Sequence, residues 1–173
     1  MVIKIIKKLI FIFLLYSINA YPQDYETFYN SSEKFEYSIE YPKNFKVIKT
    51  EEAVNFIFPS KDKSKSKDNI IIIVNAISPF RDFEEFEKFW LKSISSNLED
   101  FELIIEGRII IDNKTGVYYV YKGKDNERFL KYKRYAIDNS PNVYEIIYET
   151  DENNFDLNVD LFDEIVNTIK IKK

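Results

Sequence analysis

Residues 35 to 41 alternate: Phe35, Tyr37, Ile39 and Tyr41 are separated by Glu36, Ser38 and Glu40. A period of two puts the aromatic and aliphatic side chains on one face of a strand and the polar ones on the other. Pro42 offers no ladder N–H and ends that strand. Phe45, three residues later, is placed to return the chain to the core. Val54 to Phe58 reads as a second strand, stopped by Pro59, and Asn69 to Ile77 as a third. The third, NIIIIVNAI, holds five consecutive β-branched residues without alternation, as expected of a central strand covered on both faces. Leu103 to Ile105 and Ile109 to Ile111 repeat that signal and predict the same covering.

Helical spacing occurs twice. Asp82 is placed as an N-cap, Glu84 and Glu85 follow in the first turn, and Phe83, Phe86, Trp90 and Ile94 share one face. Near the C-terminus, Val159, Phe162, Ile165, Val166 and Ile169 form a second apolar stripe. Between the two helices lie four strand-like runs, Phe101 to Ile111, Thr115 to Tyr121, Arg128 to Ile137 and Val143 to Thr150. The short, turn-rich connections DNKTG, KGKDNE and DNSPN predict antiparallel hairpins. The expected fold is therefore α+β, an antiparallel sheet of about six or seven strands sandwiched between helices. At 173 residues, with no internal repeat, the chain suits one domain over residues 35–173.

The N-terminus follows another pattern. Lys4, Lys7 and Lys8 precede the apolar run Leu9 to Ile18, which stops at Asn19-Ala20, and this is the signature of a signal peptide over residues 1–20. Ten helical residues cover about 15 Å, against a hydrocarbon core of ~30 Å, so an uncleaved anchor is the weaker reading. Residues 21–34 lack any period and read as an extended leader. The expected location is exported, periplasmic or extracellular.

Composition then narrows the chemistry. The chain has no cysteine and no histidine. That removes a lipid-modified signal site, disulfides, thiol catalysis, the usual catalytic triads and ordinary zinc or copper sites. With three glycines in all, a glycine-rich phosphate loop has no place either. An enzyme would have to work through carboxylates, lysine or tyrosine, so neither catalysis nor a bound cofactor is expected. Three of the 25 basic residues and none of the 29 acidic ones lie in the first twenty positions, so the net charge of −4 becomes −7 without them. A surface that acidic disfavours nucleic acid as a partner.

Three polar stretches remain as candidates. Residues 151–160, DENNFDLNVD, offer oxygen ligands for a hard cation but lack the EF-hand glycine and final glutamate, and they read first as an acidic lead into a helix. Residues 129–135, FLKYKRY, interleave Lys131, Lys133 and Arg134 with Phe129, Tyr132 and Tyr135; lysines snorkelling over aromatics on a half-exposed strand explain this best. Residues 60–69, SKDKSKSKDN, place Lys61, Lys63, Lys65 and Lys67 between two strands, either as a solvated hairpin tip or as a contact for an anionic partner. These four lysines are the candidate partner-contact residues.

The stretch Tyr37-Ser-Ile-Glu-Tyr41-Pro42-Lys-Asn-Phe45 resembles the opening motif of PsbP-like domains: an alternating aromatic strand, a Tyr-Pro or Phe-Pro pair, then an aromatic three residues on. The helix from Asp82 to Leu98, the Phe101-to-Ile111 and Gly116-to-Tyr121 pair, the Tyr-Glu-Ile-Ile-Tyr strand at 144–148 and the closing Phe162-x-x-Ile165-Val166 helix follow in the order of the family. The resemblance implies an αβα sandwich used as a binding or assembly platform, with no shared active site. Photosynthetic members dock on photosystem II, others bind a small GTPase or act as chaperones for secreted effectors. A histidine that contributes to metal or photosystem contacts in some relatives has no counterpart here.

The expected function is thus an exported, non-catalytic binding or assembly protein whose partner is another protein, or a lipid or membrane surface. The alternative is a carrier of a small molecule or lipid, with an apolar pocket between sheet and helix. Two helices leave part of a seven-stranded sheet bare, so Tyr119, Tyr121 and Tyr148 are expected at a docking face or a pocket mouth. The signal-peptide reading predicts a mature chain beginning at Tyr21. Intact-mass analysis of exported protein that still carries Met1 to Ala20 would refute it.

Overall fold

The computed structural model describes residues 24–32, 35–59, 69–76 and 80–172. The signal segment and the 60–68 lysine loop lie outside these residues. The described chain forms β1 (Tyr25–Ser32), β2 (Phe35–Pro42), β3 (Lys46–Lys49), β4 (Ala53–Ile57), β5 (Asn69–Ala76), α1 (Phe83–Asn97), β6 (Glu99–Ile111), β7 (Lys114–Asp125), β8 (Arg128–Asn139) and β9 (Asn142–Asp151). A 3-10 turn (Glu152–Asn154) leads into α2 (Phe155–Asn167), and β10 (Lys170–Ile171) closes the chain.

Seven strands make one antiparallel sheet in the order β3-β4-β5-β9-β8-β7-β6, and β1, β2 and β10 make a second sheet of three. The three consecutive hairpins from β6 to β9 are the ones that the turn-rich connections predict. Asp112 and Asn113 take positive φ in the β6–β7 turn, and Asn126 does so in the β7–β8 turn, a conformation that Asn and Asp tolerate better than most residues. β5 pairs with β9 along its full length, so the two halves of the chain meet at the centre of the sheet.

The central strands show why their sequences lack alternation. On β9, Tyr144, Ile146 and Tyr148 join the core under α2, while Val143 and Ile147 join the core under α1. On β5, Ile70 and Ile72 face α2, and Ile71 and Ile73 pack toward α1. α1 begins as expected, with Asp82 Oδ1 accepting from the Glu85 N–H at 2.9 Å, and it buries Phe86, Trp90 and Ile94. α2 buries Phe155, Phe162, Ile165 and Val166. Its end is tied to β2, because Thr168 Oγ1 accepts from the Glu40 N–H at 2.8 Å. The small sheet shares the α2 face: Tyr37, Ile39 and Tyr41 are buried there. Pro42 is the last residue of β2, the Phe45 N–H donates to its carbonyl at 2.9 Å, and the buried Phe45 ring lies 4.3 Å from that of Phe58.

Four expectations change. Residues 25–32, read as part of a leader, form β1 and pair with β2 from Tyr25–Pro42 to Ser32–Phe35, so the folded unit starts before residue 35. The short strand β3, four residues long, is too brief to show a period and adds a strand that the pattern does not announce. β6 is an edge strand, with Ile104, Ile105 and Ile110 exposed, so its apolar runs do not mark a strand covered on both faces. Tyr119, Tyr121 and Tyr148 are 3%, 1% and 0% exposed: Tyr119 and Tyr121 lie in the core under α1, against Trp90 and Phe101, and Tyr148 lies between Phe58 and the α2 rings of Phe155 and Phe162.

Two outcomes follow from this packing. Trp90 is buried against Phe86 and Tyr119, so Trp90→Ala should cost roughly 3–5 kcal/mol by chemical denaturation, and the folded protein should emit blue of free tryptophan. Emission like that of tryptophan in water would contradict the docking of α1. Burial also raises the hydroxyl pKa of Tyr37, Tyr119, Tyr132 and Tyr135 above the ordinary value of 10.0, and that of Tyr121 up to about 12. A raised pKa gives stability that is fully present below the unfolded value and lost as pH rises toward the folded one. Stability should therefore be insensitive to these groups below about pH 10 and fall above it, by up to ~1.4 kcal/mol per pH unit for each tyrosine. Denaturant midpoints that stay level well above that pH would show the hydroxyls to be exposed.

Candidate functional site

The lysine loop is flanked by described residues on both sides. Phe58 is buried with its ring 5.8 Å from Tyr148, and Asn69 pairs with Ile57 on one side and Glu149 on the other. Both flanks thus sit at the end of the sheet where β9 runs out toward Asp151. Burial raises the carboxyl pKa of Glu149 there, against the pull of Arg128 and Arg134. Lys61, Lys63, Lys65 and Lys67 themselves lie outside the described residues.

The basic and aromatic run 129–135 resolves into pairs on both faces of β8. Lys131 Nζ lies 4.2 Å over the Phe155 ring and 3.4 Å from Asp156, and Lys133 pairs with Asp163 beside the rings of Tyr118 and Tyr135. Arg134 projects to the other face. Cations committed to carboxylates and rings of their own chain are poor phosphate contacts, as the snorkelling reading has it. Residues 151–160 resolve likewise: Asp151 pairs with Arg128 at 3.3 Å and Asp156 with Lys131. Among the described residues, no group of three His, Cys, Asp or Glu side chains is placed to hold a metal ion.

Sequence reading missed a polar cluster under α1. Glu145 is 5% exposed in the centre of β9. Its Oε2 accepts from Trp90 Nε1 at 2.6 Å and lies 3.6 Å from Arg134, and its Oε1 accepts from the Asn75 amide. The Arg134 guanidinium stands 5.3 Å over the Trp90 ring, and its Nε finds no acceptor among the described residues. Alongside, Glu87 on α1 accepts from the Tyr119 hydroxyl at 2.9 Å and pairs with Arg108 at 2.8 Å. The one sequence signal was a glutamate inside the otherwise apolar Tyr144–Tyr148 run. With an indole, an amide and a guanidinium around it and little exposure to solvent, the Glu145 carboxylate is occupied in positioning α1.

A cleft of about 490 Å³ opens between the small sheet and the β3–β4 turn, lined by Asn30, Tyr37, Lys49, Glu51, Val54 and Asn75 among others. Lys49 Nζ donates to Asn30 Oδ1 at 2.9 Å across its mouth. Its rim mixes both charges, and it lies away from the sheet–helix interfaces where an apolar carrier pocket was expected. Among the described residues those interfaces are filled by ring contacts such as Trp90–Tyr119 at 5.5 Å and Tyr148–Phe162 at 5.4 Å. No described helix is long and apolar enough to cross a membrane.

No protein-family model matches the sequence, and no curated protein matches it. Solved structures do match. Cyanobacterial PsbP (CyanoP) from Synechocystis aligns over 89% of this chain and 96% of its own, with 16% identity and a TM-score of 0.59. LpqN, involved in cell envelope biogenesis of Mycobacterium tuberculosis, aligns over 90% and 88%, with 10% identity and a TM-score of 0.64. The Ran-binding protein Mog1p of Saccharomyces cerevisiae aligns over 86% and 96%, with 9% identity and a TM-score of 0.58. The two-sheet, two-helix architecture of this chain is therefore the PsbP/Mog1-type fold.

Proposed function

We propose that this protein is an exported, non-catalytic binding protein that acts on a partner protein, and that the connection between β4 and β5, with Lys61, Lys63, Lys65 and Lys67, supplies its contact. The observation that carries the reading is the filled sandwich. Both faces of the seven-stranded sheet are packed, with Tyr119, Tyr121 and Tyr148 buried, so recognition is left to edges, loops and outer helix surfaces. At this end of the sheet several described cations already have carboxylate partners, Lys122 with Glu102 and Glu152, Arg128 with Asp151 and Lys131 with Asp156, while Lys46, opposite Ile57 at the end of β4, is exposed and has no ion pair among the described residues. Four lysines within seven residues are the largest cluster of positive charge in an acidic chain. Such a cluster selects an anionic patch while the remaining surface repels it.

Proteins of the same fold support a protein partner in general terms, since Mog1p is a Ran-binding protein. Export rests on the Lys-rich start and short apolar run of residues 1–20, and LpqN offers a parallel through its part in cell envelope biogenesis. A catalytic role would need titratable groups converging on an open site. The best-built cluster, around Glu145, is buried and internally paired.

The test is a pull-down with the mature protein from the exported fraction, with both proteins and lipids identified by mass spectrometry. Binding to the recovered protein should weaken as salt rises, because exposed charges are screened beyond ~10 Å at 0.1 M. Replacing the four lysines with Ser should weaken it further and leave thermal stability unchanged, since exposed loop charges contribute little to folding. Unchanged affinity would reduce the loop to a connector, and recovery of lipid alone would point to a membrane surface in place of a protein.

A further inference from the structure

β6 is a 13-residue strand at the edge of the seven-stranded sheet, and among the described residues only β7 pairs with it. A long edge with exposed aliphatic side chains is an open template for another strand. Ile104, Ile105 and Ile110 are 41%, 49% and 72% exposed. The sequence of this edge, Leu103-Ile-Ile-Glu-Gly-Arg-Ile-Ile-Ile111, reads as its own complement about Gly107.

We propose that β6 pairs antiparallel with β6 of a second copy of this chain, about a two-fold axis at Gly107, joining two seven-stranded sheets into one. In that register residue i faces residue 214 − i of the second copy, which is the geometry of an isologous contact. Glu106 of each copy faces Arg108 of the other, and Ile105 faces Ile109. Both ion pairs fall on the α1 side of the sheet, because Glu106 stands opposite Tyr119 and Arg108 opposite Val117, two side chains of the α1 core. Arg108 is 69% exposed and keeps room for a second carboxylate beside Glu87, and Glu106 has no cation partner among the described residues. The charges single out this register. Moving the axis to Glu106 or to Arg108 sets like charges face to face, which destabilises a cross-strand pair.

Gly107 at the axis is fixed by its own sheet: a Cβ there would lie 2.5 Å from the ring of Tyr118, its partner on β7, and that ring covers this face of the strand. The bulge that leaves Ile104 without a partner on β7 limits the regular ladder to Ile105–Ile109 of each copy. The contact is correspondingly small, and association should depend on concentration. β6 lies at the opposite end of the strand order from β4 and β5, so the dimer does not use the strands that flank the proposed partner contact.

Sedimentation equilibrium of the protein, purified as it accumulates in the cells that make it, tests the idea. The wild-type chain should show a reversible monomer–dimer equilibrium. Glu106→Arg alone gives each copy two cations at the axis and should weaken the dimer by about tenfold or more. Arg108→Glu alone gives two anions and should do the same, with tryptophan emission confirming that α1 stays docked without the Glu87 pair. Mixed one to one, the two variants restore both ion pairs, and a heterodimer should form that neither makes alone. A wild-type chain that is monomeric at every concentration, or a dimer indifferent to Glu106→Arg, would overturn the proposal. So would a mixture no more associated than its components.

Discussion

Burying the Glu145 carboxylate alone would cost several kcal/mol, and the packing of the sheet's α1 face is arranged around that penalty. Trp90 reaches it from the helix, Asn75 from β5 and Arg134 from β8, so one anion ties together three strands and α1. The rings around it exclude water, which strengthens each of these bonds and raises the penalty for losing any of them. A helix that docked by apolar contact alone could slide along the sheet; the indole-to-carboxylate bond fixes where α1 stops. The Glu87 contacts to Tyr119 and Arg108 then set its rotation.

The opposite face is held differently. There, rings and branched aliphatics from the small sheet, α2 and the central strands make a large apolar core, with Tyr148 between Phe58, Phe155 and Phe162. The two faces together leave little of the sheet for a ligand, which turns attention to the rim. What the described rim offers is asymmetric: a mixed-charge cleft in one half, and a long aliphatic edge in the other.

The same fold at 9–16% identity in CyanoP, LpqN and Mog1p shows how little of it rests on particular residues. What the fold requires is a rhythm: an aromatic strand closed by Pro42, a hairpin-linked run of four strands between two amphipathic helices, and turns that accept positive φ. Those features were readable here because each is local. Asp82 announces its helix by being followed at once by Glu84 and Glu85, and the β6–β9 hairpins announce themselves through turn residues between apolar runs.

The sequence by itself determined the elements from β6 to α2, the antiparallel pairing and the two-faced burial of β5, because hydrophobic period and turn chemistry act between near neighbours. Only the tertiary structure decided the rest. Tyr25–Ser32 has no period of its own, and its place as β1 depends on a partner strand and on a face supplied by the other sheet. The apolar runs of β6 and β5 look alike in sequence, yet β5 lies at the centre and β6 at the edge, since strand order is set by which hairpins stack and not by composition. A count of helices puts Tyr119 and Tyr148 at the surface, yet the docking of α1 covers Tyr119, and α2 with Phe58 covers Tyr148, an outcome that no local pattern announces. Glu145 stood out as a charge in an apolar strand, but its meaning required Trp90, Arg134 and Asn75, which lie 55, 11 and 70 residues away along the chain and within bonding reach in space.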